Sequence, residues 1–225
     1  MFPTAARILS VVERAASSFS YANVLNHQVT FDAAAWREGW SQHPHLGPLP
    51  TVFNTDSPRG TLTRGQVFAA AGNLDSSADM LAFFATLAAW GTGTNGLMRY
   101  RAMTPLTIPS NTNKLLDAVA GMPSDPVAAY RYFNNSDSGR GRRVPGLGPA
   151  YFTKLLYFTH PPQPGEVTPL ILDRFVANAM GWTIHSGWRT TEYELYLATV
   201  HSVLEQWRPD LPSDAIEYLL FTTQS

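Results

Sequence analysis

Clusters of proline and glycine divide the chain into short segments, most of which are apolar at the period of an α-helix. The stretch G-T-G-T-N-G ends one segment at residue 91, and T-H-P-P-Q-P-G-E-V-T-P interrupts another from residue 159. The longest segment covers residues 190–207. Its buried face is predicted from side chains three or four positions apart, namely Tyr193, Leu197, Val200 and Leu204. Because convincing strand patterns are few, we expect a mostly α fold without internal repeats.

Local capping signals refine the predicted elements. Thr63 and Gln66 have the spacing of a capping box, which opens a helix through about Ala71. Ser213 is predicted to cap a last short helix. The other predicted helices lie near residues 5–17, 75–90, 114–121, 126–133, 149–158, 173–180 and 190–207. Short strands are predicted at 29–31 and 51–53, and residues 41–60 as ordered loop.

Composition excludes several classes of site. At 225 residues, of which 44% are hydrophobic, the chain is long enough to bury a substantial core. It has no cysteine, so disulfides, cysteine-ligated zinc and iron–sulfur clusters are excluded. Its six histidines never form H-E-x-x-H, and we predict no metal site. Since the formal net charge is −1, any nucleic-acid surface must be a local patch.

The distribution of apolar and charged residues also argues against a membrane-spanning helix and a signal peptide. The longest apolar run, Met80–Trp90, is far shorter than the roughly 20 residues that a membrane-spanning helix needs. Near the N-terminus, Glu13 and Arg14 interrupt the stretch that a signal peptide would keep apolar. We therefore expect a soluble, cytoplasmic protein without a membrane segment.

The stretch R-G-R-R-V-P-G-L-G-P-A-Y, residues 140–151, joins a basic cluster to a tight turn. Pro149 suits a first helical position, so the turn would direct backbone N–H groups outward at a helix N-terminus, which favours phosphate binding. The predicted contacts to a DNA backbone are Arg140, Arg142, Arg143, Gly146, Gly148 and Ala150. The same residues also suit an ordinary loop that enters a helix beside a solvated basic run.

Two ionisable residues follow the turn. The chain has only two lysines, Lys114 and Lys154. Lys154 lies among leucines and aromatics in A-Y-F-T-K-L-L-Y-F. In an apolar cleft such an amine can act as a nucleophile, and the alternative is a lysine that snorkels at a helix edge. Asp173 ends the apolar run T-P-L-I-L-D, where an N-cap is the simplest interpretation. A capping carboxylate can also face a cleft and serve in catalysis.

Taken in order, the Pro-Gly-x-Gly hairpin, Lys154, the proline-rich link and Asp173 resemble the helix-hairpin-helix DNA glycosylases, specifically their 8-oxoguanine glycosylase-like branch. The resemblance covers about residues 140–180 well, and the C-terminal D-A-I-E-Y-L-L-F is similar to bacterial members. Residues 1–130 match only in being helical and in W-G-T-G-T-N-G. The resemblance implies a single unit over residues 1–225, with helical lobes near 1–130 and 131–225 and a cleft between them.

The resemblance also implies a function. Members of the family bind double-stranded DNA, anchor a phosphate on the hairpin amides and flip the target nucleotide into a pocket. Asp173 takes the role of the carboxylate that stabilises the oxocarbenium-like sugar. Lys154 is the candidate amine that attacks C1′ to form a Schiff base, which permits AP-lyase cleavage of the strand. No cofactor is implied, although a monovalent cation at the hairpin stays open, and we expect a monomer.

One position departs from the family pattern. The usual lysine comes two residues after the second hairpin glycine, where this chain has Ala150. Either the Lys154–Asp173 pair has moved together along the helix, or Lys154 is not the nucleophile. In the second case the enzyme is monofunctional and Asp173 guides a water molecule.

The sequence does not decide which base would be excised. Trp90, Trp182, Trp188 and Tyr151 are candidates for stacking a flipped base, and each also suits a core position. Substrates compatible with the resemblance are an oxidised purine such as 8-oxoguanine, or a hypermodified phage base such as glucosylated 5-hydroxymethylcytosine. DNA repair and antiviral defence are therefore both open.

Two other classes of function also fit the sequence. One is a non-catalytic helix-hairpin-helix module that binds DNA. The other is an all-α structural protein in which residues 140–158 are a loop and a core helix.

Overall fold

The computed structural model describes residues 5–72, 74–134 and 143–224. Over these ranges the chain forms twelve α-helices and one two-stranded antiparallel sheet, so the prediction of a mostly α fold is confirmed. The helices are α1 (Ala5–Ala15), α2 (Ala22–Leu25), α3 (Ala33–Ser41), α4 (Arg64–Ala71), α5 (Ser77–Thr92), α6 (Gly96–Met103), α7 (Pro109–Ala120), α8 (Pro126–Asn134), α9 (Pro149–Thr159), α10 (Arg174–Ala179), α11 (Thr190–Trp207) and α12 (Asp214–Thr222). The strands are β1 (Gln28–Phe31) and β2 (Gly60–Thr63), with Val29 opposite Leu62.

The chain divides into two compact units, each with its own core. The first unit takes its described residues from 1–24, 123–141 and 148–225, and it contains α1 and α8–α12. The second takes its described residues from 25–122 and 142–147, and it contains the sheet and α3–α7. The lobes expected at 1–130 and 131–225, and the cleft between them, stay a prediction.

Aromatic side chains fill the core of the first unit. Tyr130 of α8 stacks on Tyr193 of α11, with ring centroids 4.2 Å apart and planes 15° apart. Phe152 of α9 contacts Tyr130 edge-on and lies nearly parallel to Phe133. All four rings are buried, and such rings contribute large apolar areas to a core. They hold α9 against α8.

Helix α5 is the centre of the second unit, because eleven of its sixteen residues are buried. A capping box of Ser76 and Asp79 starts the helix, and Gly93, with φ of 56°, ends it. A second cluster packs beside the sheet, where Trp36 of α3 stacks on Phe53 with ring centroids 5.1 Å apart. In the part of the chain that the structure describes, no helix is long and apolar enough to cross a membrane.

Some local predictions are confirmed and others are wrong. The capping box of Thr63 and Gln66 is present, and the strand at 29–31 lies in β1. Residues 51–53 form a 3₁₀ turn rather than a strand, because Phe53 turns inward onto Trp36. The partner of β1 is instead β2. Ser213 begins α12 without a side-chain cap, since its hydroxyl lies 3.2 Å from that of Thr168.

Candidate active site

The hairpin before α9 is a type II turn that requires glycine. The Leu147 N–H donates to the Val144 carbonyl at 3.2 Å, and Gly146 has φ of 83° at the third position of the turn. A Cβ on Gly146 would lie 2.9 Å from Thr104 Cγ2. Both the backbone conformation and the close approach of Thr104 therefore exclude a side chain at this position.

Helix α9 begins immediately after this turn. Gly148 is its N-cap and Pro149 its first residue, and the Tyr151 N–H donates to the Gly148 carbonyl at 2.9 Å. The Ala150 N–H lies in the first turn, where no preceding helical carbonyl can accept it. Arg143 is exposed just before the hairpin.

The remaining predicted basic contacts, Arg140 and Arg142, lie outside the described residues. The binding of a phosphate or a monovalent cation at the hairpin stays a prediction.

Lys154 is buried, with 6% of its surface exposed. A snorkelling lysine would keep its amine in water, whereas Lys154 Nζ donates to the Ala150 carbonyl at 3.0 Å and lies 3.4 Å from Asp173 Oδ2. Side chains on a helix lean toward its N-terminus. The amine of Lys154 therefore reaches back to the residue at which the family pattern places its lysine.

Asp173 uses its two carboxylate oxygens separately. Oδ1 accepts from the backbone N–H groups of Phe175 at 3.0 Å and Val176 at 3.2 Å, which confirms the predicted N-cap of α10. Oδ2 faces Lys154 Nζ. The amides of α10 fix the orientation of the carboxylate and stabilise its negative charge, while its second oxygen points to the amine.

The predicted base-stacking residues are not all in one unit. Tyr151 is half-buried and lies three positions before Lys154 on α9, so the two are neighbours on the helix surface. Trp182 follows α10 in the first unit and is buried, as is Trp188. Trp90 belongs to the second unit, where its indole N–H donates to the His27 carbonyl at 3.3 Å. Their roles toward a base stay predictions.

Sequence reasoning missed Thr153, the residue before Lys154. Its hydroxyl oxygen accepts from the backbone N–H of Leu172 at 3.1 Å, and Leu172 is the residue before Asp173. This pair has the same nineteen-residue separation as Lys154 and Asp173. A threonine in an apolar helix gives no indication of its tertiary partner, however.

The site thus brings together an amine and a carboxylate from two different helices. These are the groups needed for covalent catalysis by an amine with a carboxylate that stabilises developing positive charge. Within residues 5–72, 74–134 and 143–224, no group of three or more metal-ligating side chains is placed to hold an ion.

Comparison with known proteins gives one family. Residues 22–221 match the model of the family described as "Putative 8-oxoguanine DNA glycosylase OGG-like protein". No curated protein and no solved structure matches the chain. The mostly helical architecture is consistent with that family, and the family description indicates a DNA glycosylase-type enzyme that binds DNA. Because the match covers nearly the whole sequence, the chain belongs to this OGG-like family.

Proposed function

We propose that this protein is a DNA glycosylase that flips a modified base out of duplex DNA and cleaves its N-glycosidic bond. Lys154 is the nucleophile at C1′, and Asp173 is the catalytic carboxylate. The observation that carries the proposal is the buried pair itself, with Nζ 3.4 Å from Oδ2, in a member of the OGG-like family.

The first step is displacement of the base. The attacking amine must be neutral, and Asp173 Oδ2 is placed to accept its proton. Nζ then bonds to C1′ while the bond from C1′ to the base nitrogen breaks and the electron pair leaves with the base. Asp173 passes the proton that it took from Nζ to the departing base and is a carboxylate again. Positive charge develops on the sugar in this step, and the carboxylate of Asp173 stabilises it.

The second step gives the lyase activity. The amine on C1′ loses a proton and the sugar ring opens, so that O4′ becomes a hydroxyl and C1′ forms a Schiff base with Nζ. Loss of a proton from C2′ then expels the 3′ phosphate and cleaves the strand. Borohydride delivers hydride to the Schiff base and converts it to a stable secondary amine, which joins the protein to DNA covalently.

The proposed substrate is an oxidised purine, with 8-oxoguanine as the first candidate because the family description names it. Glucosylated 5-hydroxymethylcytosine is the second candidate, and its excision would place the enzyme in antiviral defence rather than DNA repair. A damaged or poorly paired base is the easiest to flip. The protein acts as a monomer and uses no cofactor.

The test is a panel of duplexes that carry candidate modified bases, incubated with the protein in EDTA, with and without borohydride. Phage DNA with modified cytosine is included. We expect base release on at least one substrate and a trapped covalent adduct. Release of no base from any substrate, together with salt-dependent DNA binding, would indicate the non-catalytic DNA-binding module instead.

Variants of the two lysines separate the mechanisms. K154A should abolish trapping, whereas K114A, which changes an exposed lysine on α7, should trap as the unaltered protein does. If K154A excises the base at the full rate, Lys154 is peripheral and the enzyme is monofunctional, with Asp173 guiding a water molecule.

A further inference from the structure

The segment Leu170–Leu172, which leads directly into Asp173, raises a question of hydrogen bonding. Its three residues are buried, yet they belong to no helix or strand in the described part of the chain, where the one sheet is formed by β1 and β2. Buried backbone N–H and C=O groups need partners. Here hydroxyl groups of side chains on α9 and α11 pair with the Leu170 N–H and carbonyl, the Ile171 carbonyl and the Leu172 N–H.

Two tyrosines of α11 bind the first half of the segment. The Tyr193 hydroxyl accepts from the Leu170 N–H at 3.0 Å and donates to the Leu170 carbonyl at 2.9 Å. The Tyr196 hydroxyl donates to the Ile171 carbonyl at 3.0 Å. Both tyrosines are fully buried, so no water competes for these bonds.

Thr153 of α9 binds the second half. Its hydroxyl donates to the Pro149 carbonyl at 2.7 Å, which leaves its oxygen to accept from the Leu172 N–H at 3.1 Å. Thr153 is fully buried. It comes immediately before Lys154, and Leu172 comes immediately before Asp173. One hydrogen bond, from the Leu172 backbone to the Thr153 side chain, therefore joins the residues that immediately precede the two candidate catalytic residues.

We propose that Thr153, Tyr193 and Tyr196, here called the hydroxyl clamp, are positioning residues that set the distance between Lys154 Nζ and Asp173 Oδ2. This inference rests on the proposed function. Apolar packing of Leu170, Ile171 and Leu172 is non-directional, so it does not by itself fix the segment along its own axis. The directional bonds of the hydroxyl clamp do so.

Thr153 offers the sharpest test, because valine has nearly its shape without the hydroxyl and serine has the hydroxyl without the methyl group. We expect T153V to lower the single-turnover rate of base excision by roughly 10–100-fold, the effect of a displacement near 1 Å in a catalytic group. T153S should retain activity within about threefold of the unaltered protein, since its hydroxyl can make the same bonds. DNA affinity should be unchanged in both variants.

A matched control lies on the same helix. The Thr159 hydroxyl donates to the Leu155 carbonyl at 2.8 Å, inside α9, and it has no role in the hydroxyl clamp. T159V should therefore excise the base at the unaltered rate. If T153V does not fold, as judged by circular dichroism, Y196F carries the same test, because it removes one hydrogen bond and leaves the ring in place.

A second readout needs no substrate. The chain has only two lysines, so protein labelled with ¹³C and ¹⁵N in lysine gives two side-chain signals, one from Lys154 and one from Lys114. D173N identifies the Lys154 signal, because it removes the neighbouring carboxylate. We expect T153V to move this signal toward its position in D173N, and T153S and T159V to leave it in place.

The two readouts distinguish the failure of the two proposals. If the unaltered protein excises no base but the Lys154 signal moves in T153V, the proposed function fails and the hydroxyl clamp stands. If the unaltered protein is active, and T153V has the same rate and an unmoved Lys154 signal, the hydroxyl clamp is overturned while the proposed function stands.

Discussion

Lys154 and Asp173 are nineteen residues apart in the chain, yet the distance from Nζ to Oδ2 is 3.4 Å. Helix α9 supplies the amine and the N-terminus of α10 supplies the carboxylate. The side chains are 7% and 13% exposed, so both charges are largely removed from water and interact more strongly than an exposed pair would. Which of the two alternatives left open by Ala150 applies stays a prediction.

The first prediction concerns the carboxylate of Asp173. D173N should lower base excision by roughly 10²–10⁴-fold, because asparagine can neither accept the proton of Lys154 nor stabilise a positive sugar. DNA affinity should be retained, since phosphate contacts dominate it. Single-turnover excision and a binding titration at one salt concentration measure the two properties.

D173A is the control for stability. Asparagine caps a helix about as well as aspartate, whereas alanine does not, so D173A should unfold with a free energy about 1 kcal/mol below that of D173N. The two variants should nevertheless be equally inactive. Full activity in D173N would contradict a catalytic role and support a non-catalytic DNA-binding module.

The second prediction concerns the hairpin turn. G146A must place a Cβ 2.9 Å from Thr104 Cγ2 in a residue with φ of 83°. G165A is the matched control, because Gly165 has φ of 79° and a Cβ added there would meet nothing within 4 Å. Both variants strain the backbone, and G146A should lower the free energy of unfolding by about 1 kcal/mol more than G165A. Urea unfolding measures the difference. Equal losses of unfolding free energy in the two variants would show that Thr104 moves aside at no energetic cost.

The third prediction concerns stability at alkaline pH. Burial raises the pKa of the Tyr193 phenol well above its ordinary 10.0, and the smaller effect of its hydrogen bond with Leu170 opposes this. Above about pH 10 the unfolded chain loses this proton while the folded protein keeps it, so stability falls as the pH rises. The free energy of unfolding should fall by about 1.4 kcal/mol per pH unit more steeply in the unaltered protein than in Y193F. Urea unfolding at a series of alkaline pH values tests this, and parallel curves would contradict it.

The fourth prediction concerns Arg143, the described member of the basic cluster. If its guanidinium contacts a DNA phosphate, R143A should reduce the slope of log K against log salt by about 0.9. R14A is the control, because Arg14 is exposed on α1, where its Nε donates to the Ser10 carbonyl at 3.0 Å. An R143A slope equal to that of the unaltered protein would remove Arg143 from the DNA interface.

Features with a local cause were predictable from the sequence. The capping box of Thr63 and Gln66 depends on residues three positions apart, and the N-cap of Asp173 depends on its own helix. Helix α11 was predicted because an apolar period over eighteen residues is a strong signal. The order of hairpin, lysine and aspartate was sufficient to identify the family.

Features with a distant cause were not predictable. Helix α6 was missed for a different reason, since its cause is local: it begins inside the glycine-rich stretch that ends α5, where Asn95 caps it by accepting from the Met98 N–H at 3.0 Å. Helix α3 was not predicted; it lies next to a stretch rich in proline and histidine. The hydroxyl of Ser213 interacts with Thr168 rather than with its own helix. In the candidate site, the bond from Leu172 to Thr153 has no local signature at all.

Helix α10 has only six residues, and both of its ends are closed by specific bonds. Asp173 caps the start, and at the other end Gly181, with φ of 74°, donates to the Asn178 carbonyl at 2.8 Å. A helix this short does not persist on its own in water. A local opening of α10 would withdraw the Phe175 and Val176 amides from the Asp173 carboxylate, so the exchange rates of those two amides with solvent deuterium report the fraction of molecules in which the site is assembled.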